Sequence, residues 1–343
     1  MIVVAQGLHA ARRGAGYLSR GPMNGYDTLV CLALSRMSFL KPRERLRLAA
    51  ELETPDAFLR LGRRGLEEML GRRLRTEPGE PGGALEQAEA DRRRLILEGI
   101  GCILYTDSRY PRMLHETYDP PLVLFTRGSR RLDGSPAVGV VGTRKPLQAA
   151  RSAARELGRV LASAGVTVVS GLARGIDGEA HRGAVRAGGR HVAVLGCGLL
   201  RILPETNAWL GRRILALGGT LLSEYPPDEP PRKHHFPARN RIISALSQAL
   251  VIVQAPERSG ALITADFALQ QGIEVLVHRA GLFGSRGAGG AALAESGAAI
   301  VEDGEGVLRL LGIEGPPKPS APPGEGIGER LAREMELELE ELD

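Results

Sequence analysis

A glycine-rich turn follows an apolar run at residues 170–181, which read SGLARGIDGEAH. Glycines at such a turn let backbone N–H groups approach an anion, and the N-terminus of a following helix favours its negative charge. Arg174 adds a cation, but the chain lacks the GxxxxGK[ST] loop of ATP-binding proteins. These residue types predict a phosphate-binding turn that includes Ser170, Gly171, Arg174 and Gly175, although βα turns also use glycine for geometry alone.

Asp177 and His181 lie four residues apart, on one face of the helix predicted after this turn. An acid/base pair would indicate catalysis, whereas a helix cap and an oriented ring would be purely structural. We favour the structural interpretation because no recognised motif places a nucleophile beside the pair. Ser170, Ser223 and Ser259 all lie outside a GxSxG elbow. The sequence therefore predicts no catalytic residue.

A second informative stretch, residues 230–243, reads PPRKHHFPARNRII. Phe236 stands among prolines and cations, an arrangement that suits stacking on an unpaired nucleic-acid base. Lys233 and Arg239 can follow a phosphate backbone, and Asn240 adds a polar group. The alternative is that Phe236 packs into the sheet edge while the charges are solvated.

The elements that must position these residues follow from the hydrophobic pattern. From about residue 137, short apolar runs alternate with helical patterns, which predicts an α/β fold with a doubly wound, Rossmann-like and mostly parallel sheet. Ligands of such sheets bind beyond the carboxyl ends of the strands, where Arg144 follows the first run in VVGTRKP. Upstream, helical spacing predicts a small helical N-terminal domain.

Shifts in composition divide the chain into five segments. We expect a disordered extension, a helical domain, a connecting segment leading into the sheet, the Rossmann-like domain, and a Pro-rich linker with a short acidic tail. The corresponding ranges are 1–22, 23–100, 101–136, 137–312 and 313–343.

The net charge of the 343 residues is +5, but it is distributed unevenly. Residues 328–343 contain seven acidic residues and two arginines, which contribute −5, so the rest of the chain carries +10. A basic body indicates a nucleic-acid partner, although an ordinary solvated surface can have the same composition. No apolar run approaches the roughly 20 residues of a membrane span, so we expect a cytoplasmic protein that does not bind membranes.

The three cysteines, Cys31, Cys102 and Cys197, are far apart and form no CxxC pair. An odd number at these spacings favours reduced, mostly buried thiols over a disulfide framework or a zinc site. The histidines form no HExxH or other metal-binding spacing. We therefore expect neither a metal nor a cofactor.

Several motifs occur in a fixed order: VGTRKP, SGLARGIDGEAH, VLGCG, SEYPP, HFPARNRIISALS and SGALITADFALQQG. In this order they resemble the DprA (Smf) DNA-processing family over residues 137–312. The resemblance implies a homodimeric single-stranded DNA-binding protein with no known catalytic turnover, which protects incoming strands during natural transformation and helps to load RecA recombinase. It places the family's basic pocket on Arg144, Ser170, Gly171, Arg174, Lys233, Phe236, Arg239 and Asn240.

Some segments depart from that pattern. Gln254 stands where the family commonly has an acid, and residues 277–298 lack the usual Pro-Gly and an Asn before the leucine. The N-terminal region resembles the family's sterile-alpha-motif-like domain only loosely, and we expect the tail to be too short for a winged-helix domain. The alternative function is a nucleotide-binding or nucleotide-cleaving enzyme of a related Rossmann-like family. Such enzymes typically show PGGxGT, where this chain has APERSGALITA.

Overall fold

The structure is a computed structural model that describes residues 26–129, 132 and 134–314. The expected extension at 1–22 and the acidic tail from residue 315 onward lie outside the described residues.

Within the described part of the chain, nine strands form a single sheet in the order β1-β2-β6-β5-β4-β3-β7-β8-β9. The strands are β1 Gly101–Leu104, β2 Val123–Gly128, β3 Ala137–Val141, β4 Thr167–Ser170, β5 His191–Val194, β6 Thr220–Ser223, β7 Ala249–Ile252, β8 Glu274–His278 and β9 Ala299–Val301. Strands β3 to β9 pair in parallel, whereas β2 pairs antiparallel with both β1 and β6. The predicted doubly wound, mostly parallel sheet is therefore confirmed.

The segment 101–136, which we expected to lead into the sheet, contributes two strands to it. These strands, β1 and β2, form one margin of the sheet. Phe125 of β2 pairs with Ser223 of β6, and every side chain from Val123 to Thr126 is buried. Val123 and Phe125 belong to the apolar cluster on one face of the sheet and Leu124 to the cluster on the other, because successive side chains of a strand point to opposite faces.

Thirteen α-helices are described, and they cover both faces of the sheet as buried parallel strands require. They are α1 Thr28–Arg36, α2 Pro42–Glu51, α3 Pro55–Leu59, α4 Arg63–Leu70, α5 Pro81–Leu97, α6 Arg112–His115, α7 Gln148–Ser163, α8 Ile176–Arg186, α9 Ala208–Ala216, α10 His235–Ala245, α11 Gly260–Gln270, α12 Ala288–Glu295 and α13 Gly304–Leu310. Helices α7, α8 and α13 pack on one face, and α10 and α11 pack on the other.

Helices α1 to α5 form the predicted helical N-terminal region. Asp27 caps α1 by accepting a hydrogen bond from the Val30 amide, and Thr54 caps α3 through the Ala57 amide. The buried residues of this region share one apolar cluster with α9 and with residues of β2, β5 and β6. The helical region therefore packs directly on the sheet.

Ion pairs formed by two arginines, Arg241 and Arg36, hold the region around α10 in place. Arg241 of α10 forms a two-pronged pair with the Glu224 carboxylate, with both N–O distances 2.7 Å. Both side chains are buried, and the Arg241 Nε also donates to the Asp119 carbonyl. Closer to the N-terminus, Arg36 pairs with Asp91 of α5 and with Asp228 of the loop after β6. The pair between Arg36 and Asp228 connects the helical region to the segment that leads into α10.

Removal of one partner from the buried pair should be strongly destabilising, because the other charge would remain in the interior without compensation. For Glu224→Ala we expect the free energy of unfolding to fall by about 3–5 kcal/mol, measured by urea denaturation at pH 7. The control is Glu68→Ala, which breaks an exposed pair with Arg64 and should cost about 0.5 kcal/mol or less. Equal, small losses in both variants would contradict the structural role of Glu224.

Candidate nucleic-acid interface

A pocket of about 720 Å³ opens at the carboxyl ends of β3 and β7. These neighbouring strands mark the point where the winding of the sheet reverses, since the chain proceeds from β3 toward β4 but from β7 toward β8. The loops that leave the two strands therefore diverge and open a crevice, which is where doubly wound sheets bind ligands.

Five of the nine predicted site residues line this pocket, namely Arg144, Lys233, Phe236, Arg239 and Asn240. The structure adds neighbours that the sequence analysis did not include in the predicted site, namely Thr143, Lys145, Arg258, Ser259 and Arg286. Lys145 could have been found beside Arg144 in VGTRKP, and Arg258 lies in APERSG, the loop between β7 and α11. Arg286 carries no comparable signal, because it lies far along the chain and reaches the pocket only through the fold.

The charge of the lining is strongly one-sided. It contains a single carboxylate, Asp177, against six cationic side chains, namely Arg144, Lys145, Lys233, Arg239, Arg258 and Arg286. Lys145, Lys233 and Arg258 form no ion pair and donate no side-chain hydrogen bond within the described residues. Unpaired cations around a concave opening favour an anionic ligand over a neutral one.

Phe236 combines an apolar ring with a neighbouring cation. It lies on the first turn of α10, where it is half-buried rather than packed fully into the sheet edge. Gly196 makes room for the ring, since a Cβ atom there would lie 3.2 Å from Phe236 Cδ1. The Arg144 guanidinium carbon lies 5.4 Å from the ring centroid. This arrangement can stack a base and bind the adjoining phosphate.

Arg239 and Asn240 are buried, and they use their polar groups mainly within the protein. The Arg239 guanidinium donates to the carbonyls of Gly171 and Val194, at the ends of β4 and β5. Burial lowers the pKa of Arg239, against the opposing effect of the nearby Asp177 charge. Asn240 donates to the Gly260 carbonyl at 3.1 Å. The two side chains thus fix α10 against the sheet and against α11.

The predicted turn residues occupy different positions from those expected. Ser170 is fully buried beneath the pocket and donates to the Val140 carbonyl at 2.6 Å, so its hydroxyl supports the strand ends and does not face a ligand. Gly171 is likewise outside the lining, because the Arg239 guanidinium packs against it. Arg174 is exposed, with its Nε donating to the Thr206 hydroxyl at 3.1 Å.

Gly175 has a backbone role at the N-terminus of α8. Its φ of +79° is unfavourable for other residues, and a Cβ atom there would lie 2.4 Å from the Thr143 carbonyl oxygen. The preceding Leu172 also has a positive φ of 54°. The Asn207 amide secures this turn by donating to the carbonyls of Leu172 and Ala173 at 3.0 Å each. The turn packs tightly against the Thr143–Arg144 loop and shapes that side of the pocket.

Asp177 and His181 are both buried, but Asp177 is not the N-cap of α8, whose N-cap is Gly175. Its carboxylate accepts a hydrogen bond from the Gly171 amide at 3.1 Å, which ties the helix to the turn. Burial raises the pKa of Asp177 and lowers that of His181 to about 3. A ring with so low a pKa stays neutral at pH 7.

Gln254, at the position of the family's usual acid, joins two walls of the pocket. It is buried, its side-chain oxygen accepts from the Leu147 amide at 2.8 Å, and its carbonyl accepts from the Thr143 amide at 2.7 Å. The amide therefore holds the loop after β3 against the end of β7 without adding a charge.

Within the described residues, no group of three or more acidic, histidine or cysteine side chains is arranged to hold a metal ion. No described helix combines the length and apolar character needed to cross a bilayer. In the part of the chain that the structure describes, Cys31, Cys102 and Cys197 form no disulfide.

Residues 101–312 match the profile of the family described as DNA recombination-mediator protein A. The chain belongs to this family. The DprA (Smf) resemblance stated from the motifs is thereby confirmed. Over 215 residues the chain is 40% identical to DNA processing protein DprA of Bacillus subtilis strain 168. This alignment covers 62% of this chain and 72% of that protein. Over 203 residues it is 43% identical to Protein Smf of Escherichia coli K12, with 59% of this chain and 54% of that protein covered.

Two solved structures share the fold. DprA from Streptococcus pneumoniae superposes with a TM-score of 0.68 and 31% identity, covering 83% of this chain and 98% of that chain. DprA from Helicobacter pylori, described for its single-stranded DNA binding mode, superposes with a TM-score of 0.55 and 30% identity over 62% of this chain and 95% of that chain. Both matches include more than the pocket, so the family relationship extends through the sheet.

The neutral buried histidines predict a loss of stability in acid. Burial lowers the pKa of His181 to about 3 and that of His191 to about 4, whereas an unfolded histidine titrates near about 6.5. The unfolded chain therefore binds protons first, and the free energy of unfolding should fall as the pH drops from about 6.5 toward 4.

The measurement is urea denaturation at several pH values. His181→Asn should flatten the decline between pH 6.5 and 4, whatever its effect at pH 7, while the exposed His234→Asn should leave the slope unchanged. An unchanged slope in His181→Asn would show that this ring does not carry the acid sensitivity.

Proposed function

We propose that the chain binds single-stranded DNA in the pocket at the carboxyl ends of β3 and β7. The observation that supports this most directly is the pairing of a half-buried ring, Phe236, with a lining of six cations and one carboxylate. Cations contact the backbone of any strand, whereas a stacking ring needs a base that is not already stacked in a duplex. The DNA-binding relative from H. pylori gives independent support for the same class of ligand.

A nucleotide-cleaving enzyme, the alternative from the sequence, has less support from the pocket. The carboxylate in the pocket lining, that of Asp177, is buried and accepts a hydrogen bond from the Gly171 amide, so it is poorly placed to activate water. His181 is fully buried behind it. We propose that the protein works by binding and has no catalytic turnover.

Family membership supports a more specific role. We propose that this cytoplasmic protein protects incoming or exposed single strands and helps to load RecA recombinase during natural transformation or recombination, working as a homodimer. The alignments cover only about half of some relatives, such as the 54% covered in E. coli Smf. A test of the RecA role is faster RecA filament formation on strands precoated with single-strand-binding protein.

The first experiment measures the binding of a labelled oligothymidylate by fluorescence anisotropy. A duplex of equal length serves as competitor, and the measurement is made at two salt concentrations. Preferential binding of the single strand, weakened by salt, would support the proposal. Equal competition by duplex, or an absence of binding at low salt, would refute it.

Phe236→Ala should remove base stacking while leaving the cations in place. We expect about 1–3 kcal/mol weaker binding, equivalent to about 5- to 150-fold in Kd, with little change in salt dependence. Phe236→Tyr keeps an aromatic ring and is the matched control. If Phe236→Ala bound DNA as tightly as the unmodified protein, stacking at this ring would be excluded.

Lys233→Ala should act on the phosphate backbone. Lys233 is exposed and unpaired within the described residues, so its removal should lower the slope of log K against log salt by about 0.7 for a single strand. All base sequences should be affected alike. The control Arg64→Ala removes a highly exposed cation from α4, and an equal effect there would indicate non-specific attraction instead of a pocket contact. Arg174 stays a predicted contact at the neighbouring turn.

A further inference from the structure

Phe283 is exposed, three residues before the pocket-lining Arg286, and has no part in the core. The segment between β8 and α12 presents the exposed residues 283–286 between the buried Gly281 and Gly287. The Phe283 side chain is 67% exposed. A single exposed apolar side chain is ordinary on a protein surface, so its significance depends on what surrounds it.

The segment that carries Phe283 is held by the sheet. Gly281 packs so closely on β7 that a Cβ atom there would lie 1.5 Å from the Val253 carbonyl oxygen. Beyond the exposed residues, the Gly289 amide donates to the Ala255 carbonyl at 2.9 Å. Between these anchors, the Gly287 amide donates to the Gly284 carbonyl and closes a turn. A segment fixed in this way loses little conformational entropy when a ligand binds to it.

Arg286 connects this turn to the pocket. Its side chain lines the pocket, and its guanidinium donates to the Lys145 carbonyl at 3.0 Å. The unpaired cations Lys145 and Arg258 lie in the same lining, as does Ile263, an apolar side chain that is 41% exposed. Cationic and apolar surface therefore continues from the pocket to the turn that bears Phe283.

We propose that Phe283 and Arg286 form a second nucleotide subsite, in which an unpaired base of the strand held at Phe236 stacks on Phe283 and Arg286 binds a phosphate between the two bases. The proposal rests on the single-strand binding proposed above and extends it to a segment that lacks the family's Pro-Gly. An apolar peptide would leave the cations around Arg286 uncompensated, whereas a nucleic-acid strand supplies both an anion and a flat ring at each step.

The test compares oligothymidylates of increasing length, from about 4 to about 16 nucleotides, by fluorescence anisotropy. For the shortest oligonucleotide that still binds, Phe283→Ala should have the same affinity as the unmodified protein, because so short a strand occupies the Phe236 site alone. With longer strands it should bind about five-fold or more weakly, as expected for the loss of one stacked base. Phe283→Trp should retain the length dependence. Leu97→Ala, which removes a comparably exposed apolar side chain from α5, should match the unmodified protein at every length.

Photo-crosslinking locates the contact directly. Strands substituted with 5-iodouracil at one position each should crosslink to the peptide containing Phe236 from one position and to that containing Phe283 from another. Equal affinity of Phe283→Ala and the unmodified protein at every length, while Phe236→Ala loses affinity, would overturn the second subsite and leave the proposed function intact. If Phe283→Ala changed the sedimentation coefficient of the protein but not its affinity for DNA, Phe283 would mediate contact between copies of this chain. That result would also overturn the second subsite. If the unmodified protein binds no single strand, both proposals fail.

Discussion

The reversal of winding between β3 and β7 is the constraint on which the site depends. These strands lie side by side and run in parallel, yet their following helices, α7 and α11, cover opposite faces of the sheet. The loops must therefore separate, which leaves a crevice between them. The resulting crevice exists before any ligand binds, and its chemistry is left to the residues that the loops carry.

Those residues divide by burial into two groups with different physical tasks. Arg239, Asn240 and Gln254 are buried and hydrogen-bond to backbone or loop groups, so they set the distances between the walls. Lys233 and Phe236 remain accessible and retain free charge or ring surface. A rigid inner layer allows the outer layer to bind a strand with little reorganisation, because its position is already determined.

Helix α10 connects the pocket to the part of the protein that packs against the helical N-terminal region. Its first turn carries Phe236, and its last half carries Arg241, which forms the buried pair with Glu224. Nearby, Arg36 of α1 contacts Asp228 in the loop that precedes this helix. The helical region thus stabilises the site through charge pairs and shared apolar packing, although the pocket lining comes from the sheet domain.

The sequence by itself determined the order of strands and helices, because buried apolar runs and helical periodicity are local properties of the chain. It also identified Arg144, Lys233 and Phe236, whose residue types stand out near turns, and the motif order that indicated the family. Only the tertiary structure decided that Ser170 is buried under the pocket, that β1 and β2 join the sheet, and that Arg286 reaches the Lys145 loop. Strand pairing and side-chain burial depend on contacts between residues far apart in sequence, which no local pattern records.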